Sequence, residues 1–271
     1  MNQPQSPNPA EIYQRYFVPA MFQQWAAILL RCAAPKPGAR VLDVACGTGV
    51  VAREAAAHVG DSGQVTALDV SPAMLAVARS LPAPSGAKIT WKEGNAMALP
   101  FPDRALDLVL CQHGLQFFPD RAGAVREMRR VLAPGGRVAV MVLQALERHP
   151  VFAALGQSLA RYLNLTISEV MTPFAMSNAG ELRRLFADAG FSNVAVQPES
   201  ALMRFAEPER FAPLAIVSAA AAVPAFAKLD GAARADMIAT VSRDIAPTVE
   251  QHRESDAIAF QMFAHVALAT A

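Results

Sequence analysis

The sequence predicts an α/β fold: a mainly parallel sheet with helices on both faces. Three observations predict it. From Arg40 to Leu143, short apolar runs alternate with segments whose apolar residues recur at helical spacing. The helical segments carry start and stop signals, such as Ser71-Pro72 before one and Ala133-Pro134-Gly135-Gly136 after another. A glycine-rich turn, Cys46-Gly47-Thr48-Gly49, joins the first apolar run to its helix. Parallel neighbours need crossovers, and apolar runs need cover on both sides, so the alternation selects a layered arrangement.

Each element follows in chain order. The polar, proline-rich residues 1–9 are expected to be a disordered tail and lack the basic-then-apolar pattern of a signal peptide. Residues 10–34 have helical spacing, with Pro19 expected to separate two helical pieces. After the turn Lys36–Gly38 comes the strand "RVLDVA", then a helix from Val50 to Val59. "QVTALDV" is a strand ending near Asp69. Ser71 caps the next helix, with Pro72 at its first position. "AKITWKEGNA" is a strand and its exit loop, "ALDLVLCQ" a strand, "RAGAVREMRRVL" a helix and "RVAVMVL" a strand. Residues 144–178 then read as mostly helical, followed by the helix "AGELRRLFADAG", the strand "SNVAVQPESALMRFA", a helical stretch and a last apolar strand. The 271 residues suit one domain spanning 10–271. Within it, 10–36 form an N-terminal helical cap, 37–143 a ligand-binding core, 144–178 and 205–254 helical inserts, and 179–204 with 255–271 the C-terminal part of the sheet. Both inserts follow strands, so they can cover a ligand at the carboxyl edge as a lid.

Composition limits the function classes. The apolar fraction of 53% supports a large core, and the net charge of +1 argues against a nucleic-acid partner. Arg126, Arg129 and Arg130 read as the solvated face of one helix. Three cysteines without metal-like spacing fit a reducing compartment, hence the cytoplasm. The uncharged run Phe211–Ala227 is shorter than a span of about 20 residues and is interrupted by Pro213 and Pro224, so a buried or cleft-covering helix is expected rather than membrane insertion. Monomer and homodimer both stay open.

The glycine turn matches Gly47-x-Gly49-x-x-Ala52, with Asp69 about 20 residues on, which formally fits a dinucleotide fingerprint. The glycines let the backbone approach a ligand. Asp43, just before the turn, would repel a pyrophosphate and favour a ligand carrying positive charge. S-adenosylmethionine meets these demands, with an adenosine for Asp69 and an ammonium and sulfonium instead of phosphates.

Four stretches in register carry a family resemblance: "VLDVACGTG", "ALDVSPAML", "EGNAMALPF" and "REMRRVLAPGGRVAV". With them the chain resembles class I S-adenosylmethionine-dependent methyltransferases, in the group related to the ubiquinone and menaquinone biosynthesis methyltransferases. The likeness covers residues 40–142 and extends through "ELRRLFADAGFSNVAV" to about 196. The resemblance implies a Rossmann-like, seven-stranded sheet with an antiparallel last strand. It implies that Asp43, Ala45, Cys46, Gly47 and Gly49 shape the turn around the methionine part, and that Asp69 binds the ribose hydroxyls. It places Val70 on the adenine with Met74, Asn95 and Ala96 at the adenine edge, and Gln112 near the transferred methyl. Relatives usually carry aspartate where this chain has Asn95. Tyr13, Tyr16 and Phe17 lie in a helix that folds over the cofactor in relatives; Tyr16 is assigned to the cofactor, Tyr13 and Phe17 to the acceptor pocket.

Methyl transfer from a sulfonium is an in-line displacement, in which the protein holds and aligns the acceptor and excludes water. A base is needed only where the acceptor must lose a proton. His113, at the exit of the fourth strand, is the first candidate, beside the alternative that it only shapes its loop; His149 is the second. His58, His252 and His265 read as structural or exposed. Phe117 and Phe118, with the inserts, would wall a pocket for an apolar or aromatic small molecule, or simply serve the core. No Asp, Glu and His cluster suggests a metal. The product would be S-adenosylhomocysteine. The competing classes are a methyltransferase acting on RNA or protein, a non-catalytic S-adenosylmethionine-binding protein, and a dinucleotide oxidoreductase, which Asp43 disfavours.

Overall fold

The computed structural model describes residues 8–220 and 223–271. In chain order, α1 (Pro9–Ile12) runs into a π-helical stretch, Tyr13–Phe22, and then α2 (Gln23–Ala33). There follow β1 (Arg40–Val44), α3 (Val50–Val59), β2 (Gln64–Asp69), α4 (Pro72–Ser80), β3 (Ile89–Glu93), β4 (Leu106–Gln112), α5 (Arg121–Val131) and β5 (Leu132–Leu143). The remainder comprises α6 (Pro150–Leu163), α7 (Ile167–Val170), α8 (Ala179–Asp188), β6 (Ser192–Ala206), α9 (Pro208–Ala220), α10 (Pro224–Ala227), α11 (Gly231–Glu250), β7 (Arg253–Glu254) and β8 (Ala257–Thr270). The chain divides into two compact units.

The first, a sheet unit, holds residues 22–144, 176–199 and 264–271. The strand order is β3-β2-β1-β4-β5-β8-β6, with the two-residue β7 paired to β8 off that path. Strands β1 to β5 pair in parallel, while β5 and β8 are antiparallel, from Arg137↔Thr270 to Leu143↔Ala264. The order reverses between β1 and β4, so the crevice beyond their carboxyl ends is the switch point where such sheets take ligands. The core stacks Leu42, Val109 and Val140 of the sheet on Val125 and Met128 of α5 and Phe186 of α8, all at 0% exposure. The buried α5 positions Ala124, Val125, Met128 and Val131 follow helical spacing, so one face meets the sheet.

The second, a helical unit, holds residues 145–175 and 200–263 and, of the N-terminal segment up to Met21, the described part. Here α6 and α11 are tied by Ser158 Oγ to Asp244 (2.6 Å), Arg161 to Asp244 (3.0 Å) and Tyr162 to Asp236 (2.7 Å). Phe205, Phe211 and Phe260 pack with ring centroids 5.0–6.0 Å apart.

Several expectations change. Most of the predicted 1–9 tail lies outside the described residues, but Asn8 caps α1 through Ala10 N (3.1 Å) and Pro9 opens it. Pro19 does not part the N-terminal helix; it sits inside the π-helical stretch, whose wider turn relieves the clash of the ring with the preceding carbonyl. The Ala133–Gly136 turn lies within β5, between the pairs Leu106↔Leu132 and Leu108↔Arg137, as an irregularity of the ladder. The run Phe211–Ala227 divides between α9 and α10, and its residues 221 and 222 lie outside the described ones. Among the described residues, no helix is long and apolar enough to cross a membrane.

The arginines of α5 also depart from the expected solvated face. Arg126 does face solvent, but Arg129 Nε donates to Gly190 O (2.7 Å). Arg130 donates to Leu99 O and Phe101 O (both 2.9 Å), to Asp103 (2.7 Å) and to Glu127 through two nitrogens (2.6 and 2.7 Å). We expect Arg130→Ala to cost about 1–2 kcal/mol by chemical denaturation, because it frees two backbone carbonyls and a half-buried carboxylate together. The Arg130 guanidinium holds the Glu127 carboxyl below its ordinary 4.5. A depressed carboxylate stabilises the fold above its unfolded pKa and loses that contribution as pH falls through the folded value. The difference between wild type and Arg130→Ala should therefore be full at neutral pH and shrink below about pH 4.5; a difference independent of pH would refute the pairing.

Candidate functional site

The candidate site is assembled at the switch point from the exits of β1, β2 and β4. After Val44 the chain turns through Ala45 (φ 57°), Gly47 (φ 55°) and Gly49 (φ 90°). Cys46 N donates to Leu68 O (3.0 Å) and Gly49 N to Cys46 O (2.8 Å), which close the turn. At Gly49 a Cβ would lie 2.3 Å from the Trp91 ring of β3, so both its backbone angle and its surroundings require glycine.

Gly49 is the N-cap of α3 and has no side chain to offer the helix. Asp43 supplies that function: at 1% exposure, its Oδ2 accepts from Ala52 N (3.0 Å), in the first turn of α3. This refines the sequence expectation. Asp43 commits an oxygen to the helix rather than presenting its whole carboxylate to a ligand. Burial pushes its carboxyl well above the ordinary range, against the Ala52 hydrogen bond, and the negative charge of Asp69 raises it further. The N-terminal amides of a helix are where a phosphate would bind, and here the chain's own carboxyl holds one of them.

Asp69 is the more accessible carboxylate, at 8% exposure. Its Oδ2 accepts from Gly47 N (2.7 Å) and its Oδ1 from Ser71 N (2.8 Å), while its backbone oxygen accepts from Gly94 N (3.0 Å). One residue thus links the exits of β1, β2 and β3. Each carboxylate oxygen keeps a further lone pair for a ligand hydroxyl. Next to it Val70 is 73% exposed, an apolar surface at the strand end. Met74 is half-buried in α4, its amide donating to Ser71 Oγ (3.4 Å). Asn95 is exposed and its Oδ1 accepts from Met97 N (2.9 Å), so the oxygen assigned to the adenine edge already has one donor; Ala96 is buried.

The exit of β4 lies against the turn: a Cβ on Gly114 would meet Ala45 Cβ at 2.7 Å and Cys111 Sγ at 2.9 Å. His113 adopts φ 52°, its amide donates to Met141 O (2.9 Å), and its ring meets Phe22 and Trp25 edge-on at 6.0 and 5.9 Å. A non-glycine residue in this region is sparsely populated and recurs at ligand sites. Gln112 Nε2 donates to Phe22 O (3.1 Å). Phe117 is 46% exposed, whereas Phe118 packs on the core. Burial raises the Cys46 thiol far out of its reactive range and that of Cys111 to about 12, so neither is a nucleophile.

Polar atoms left unmatched concentrate here. Thr48 Oγ1, Gln112 Oε1, Trp25 Nε1 and both amide atoms of Gln116 are buried without a hydrogen-bond partner. Each costs about 1–3 kcal/mol, so their grouping at one sheet edge points to a polar ligand. Among the described residues no group of three metal-ligating side chains occurs.

Tyr13, Tyr16, Phe17 and His149 belong to the helical unit. Tyr16 OH accepts from Arg210 (2.6 Å) and, with Phe17, lines a cavity of about 250 Å³ there. Tyr13 is half-buried. His149 is corrected as a base candidate: at 2% exposure its Nδ1 pairs with Ala145 O (3.0 Å) and its Nε2 accepts from Phe263 N (3.0 Å). Burial lowers its pKa, and with both ring nitrogens committed it is a neutral structural residue. Sequence reasoning missed Thr48, Trp25, Trp91 and Gln116; only Gln116, a lone polar residue within "GLQFF", left a visible signal.

The model of the ubiE/COQ5 methyltransferase family matches residues 18–201. The chain is 41% identical over 119 residues to the 2-phytyl-1,4-naphtoquinone methyltransferase of Synechococcus elongatus, covering 43% of this chain and 51% of that protein. It is 31% identical over 187 residues to the ubiquinone/menaquinone biosynthesis C-methyltransferase UbiE of Shewanella oneidensis, covering 63% and 73%. A solved S-adenosylmethionine-dependent methyltransferase from Aquifex aeolicus has the same fold, with a TM-score of 0.52 at 20% identity over 70% of this chain and 91% of that one. The chain spans about half the length of the first of these relatives.

Proposed function

The chain belongs to the ubiE/COQ5 methyltransferase family, and on that premise we propose that it moves a methyl group from S-adenosylmethionine to an O, N or C atom of a mostly apolar small molecule in the cytoplasm. The observation that carries the choice of donor is the Asp43–Ala52 hydrogen bond. It engages one of the first-turn amides of α3 that a dinucleotide pyrophosphate would use and sets a carboxyl beneath that terminus, leaving Asp69 as the more accessible carboxylate of the turn. Calorimetric titration with S-adenosylhomocysteine and with NAD tests this. Binding of the first and no response to the second is expected; the reverse would overturn it.

The residues present suit the cofactor. Thr48 Oγ1 and Gln112 Oε1 are unmatched polar atoms beside the turn, and an amino-acid zwitterion offers a donor and an acceptor for such atoms. Asp69 would take the ribose hydroxyls, and Val70 with Met74 the adenine face. Asn95 and Ala96 would meet its edge, and Ala45, Cys46, Gly47 and Gly49 would shape the methionine end. When bound, the cofactor supplies an electrophilic methyl on sulfur. The protein's part is to align the acceptor, exclude water and, where needed, accept a proton. Two of the relatives above are named for a naphtoquinone and for ubiquinone/menaquinone biosynthesis, so a reduced quinone ring is the first acceptor class to assay.

His113 is our candidate to receive the proton. With a panel of hydroquinones, His113→Gln is expected to lower kcat about 100-fold while the affinity for S-adenosylhomocysteine stays within about twofold. Unchanged turnover at saturating donor would reduce His113 to a loop-shaping role.

A further inference from the structure

Gln116 sits in the single helical turn Leu115–Phe117, four residues beyond β4 at the switch point. It is 1% exposed, and neither Nε2 nor Oε1 has a partner. Its backbone oxygen accepts from Arg121 Nη2 (2.9 Å), so the turn itself is anchored without the side chain. Leucine or methionine would fill the same volume with no desolvation cost, and the residues beside it in sequence, Leu115, Phe117 and Phe118, are apolar. A buried carboxamide with neither end paired is a cost that packing does not explain.

The unmet chemistry defines the complement. A carboxamide with both ends free needs a group that donates to Oε1 and accepts at Nε2. A carbonyl or carboxylate would leave Oε1 unmet, and an ammonium would leave Nε2 unmet; a hydroxyl satisfies both. Phe117, 46% exposed in the same turn, offers an apolar surface to the body that carries it. We propose that Gln116 is a specificity-determining residue, whose carboxamide receives a hydroxyl on the ring of the acceptor. This rests on the methyltransferase reading for there being an acceptor at this sheet edge.

The test titrates wild type and Gln116→Met, anaerobically, first with S-adenosylhomocysteine and then, on the saturated protein, with methylhydroquinone and with its dimethyl ether. Wild type should prefer the diol by about tenfold or more, because a site built to pair a hydroxyl rejects an analogue lacking its donor. Gln116→Met should abolish that preference, keep the affinity for S-adenosylhomocysteine within about twofold, and raise the Tm of the free protein by about 2–4 °C. The proposal is overturned if wild type binds neither probe, if the preference survives the substitution, or if affinity for S-adenosylhomocysteine falls with it. Wild type that fails to bind S-adenosylhomocysteine would instead refute the donor, and the two probes titrated onto the free protein would still read Gln116.

Discussion

Asp69→Ala is expected to weaken binding of S-adenosylhomocysteine about 1,000-fold, the largest effect of any single substitution on the affinity of the site. The two charge-assisted hydrogen bonds proposed to ribose hydroxyls would account for most of it, at about 1.5–3 kcal/mol each. The remainder comes from the turn. Gly47 N and Ser71 N, held at 2.7 and 2.8 Å, lose their acceptor together. Both residues are only partly buried, so water can replace the lost partner and the fold should lose about 1–2 kcal/mol, or a few degrees in Tm. The separation of the two readouts is the test. Affinity within fivefold of wild type would remove Asp69 from the ligand, and a collapse of the fold would make its role structural.

Gly49→Ala is expected to have the largest effect on stability, about 2–5 kcal/mol. Left-handed backbone at φ 90° disfavours any side chain by about 1–2 kcal/mol, and the new Cβ must displace the Trp91 ring from 2.3 Å, at about 1–3 kcal/mol. The two costs can be separated. Adding Trp91→Leu should recover the packing part and leave the backbone part, so the double variant should lie between wild type and Gly49→Ala after correction for Trp91→Leu alone. Urea denaturation measures all four proteins. A Gly49→Ala variant as stable as wild type would contradict the close approach of β3 to the turn.

The sheet was legible because its signals are local. Apolar runs at Arg40–Val44 and Leu106–Gln112, the cap at Ser71 and the glycines of the turn each determine structure within a few residues. Spacing alone put Asp43 and Asp69 at the glycine turn, but not their division of labour there. Which acid turns inward depends on where the Ala52 amide lies, nine positions away across the turn. His149 looked like a base because a histidine after a strand is a sensible candidate. Its commitment to Phe263, 114 positions further on, has no local trace. Arg130 read as solvated because the carbonyls it serves, Leu99 and Phe101, belong to a loop with no pattern of its own. Pro19 marked a break by its intrinsic geometry, and the wider π turn removed the reason for one.

Asp69 and Val70 are neighbours under opposite constraints. The Asp69 side chain holds Gly47 N after β1 and Ser71 N before α4 at once, so a lineage replacing it must re-anchor both turns in one step, whatever ligand the protein takes. Val70, 73% exposed, carries no such structural debt and is free to drift wherever the ligand permits. Divergence across this sheet edge should therefore accumulate by single residues alternating between locked and open, not by loops exchanged whole. The chain can acquire a new partner for its ligand's outer face far more readily than it can give up the carboxylate beneath.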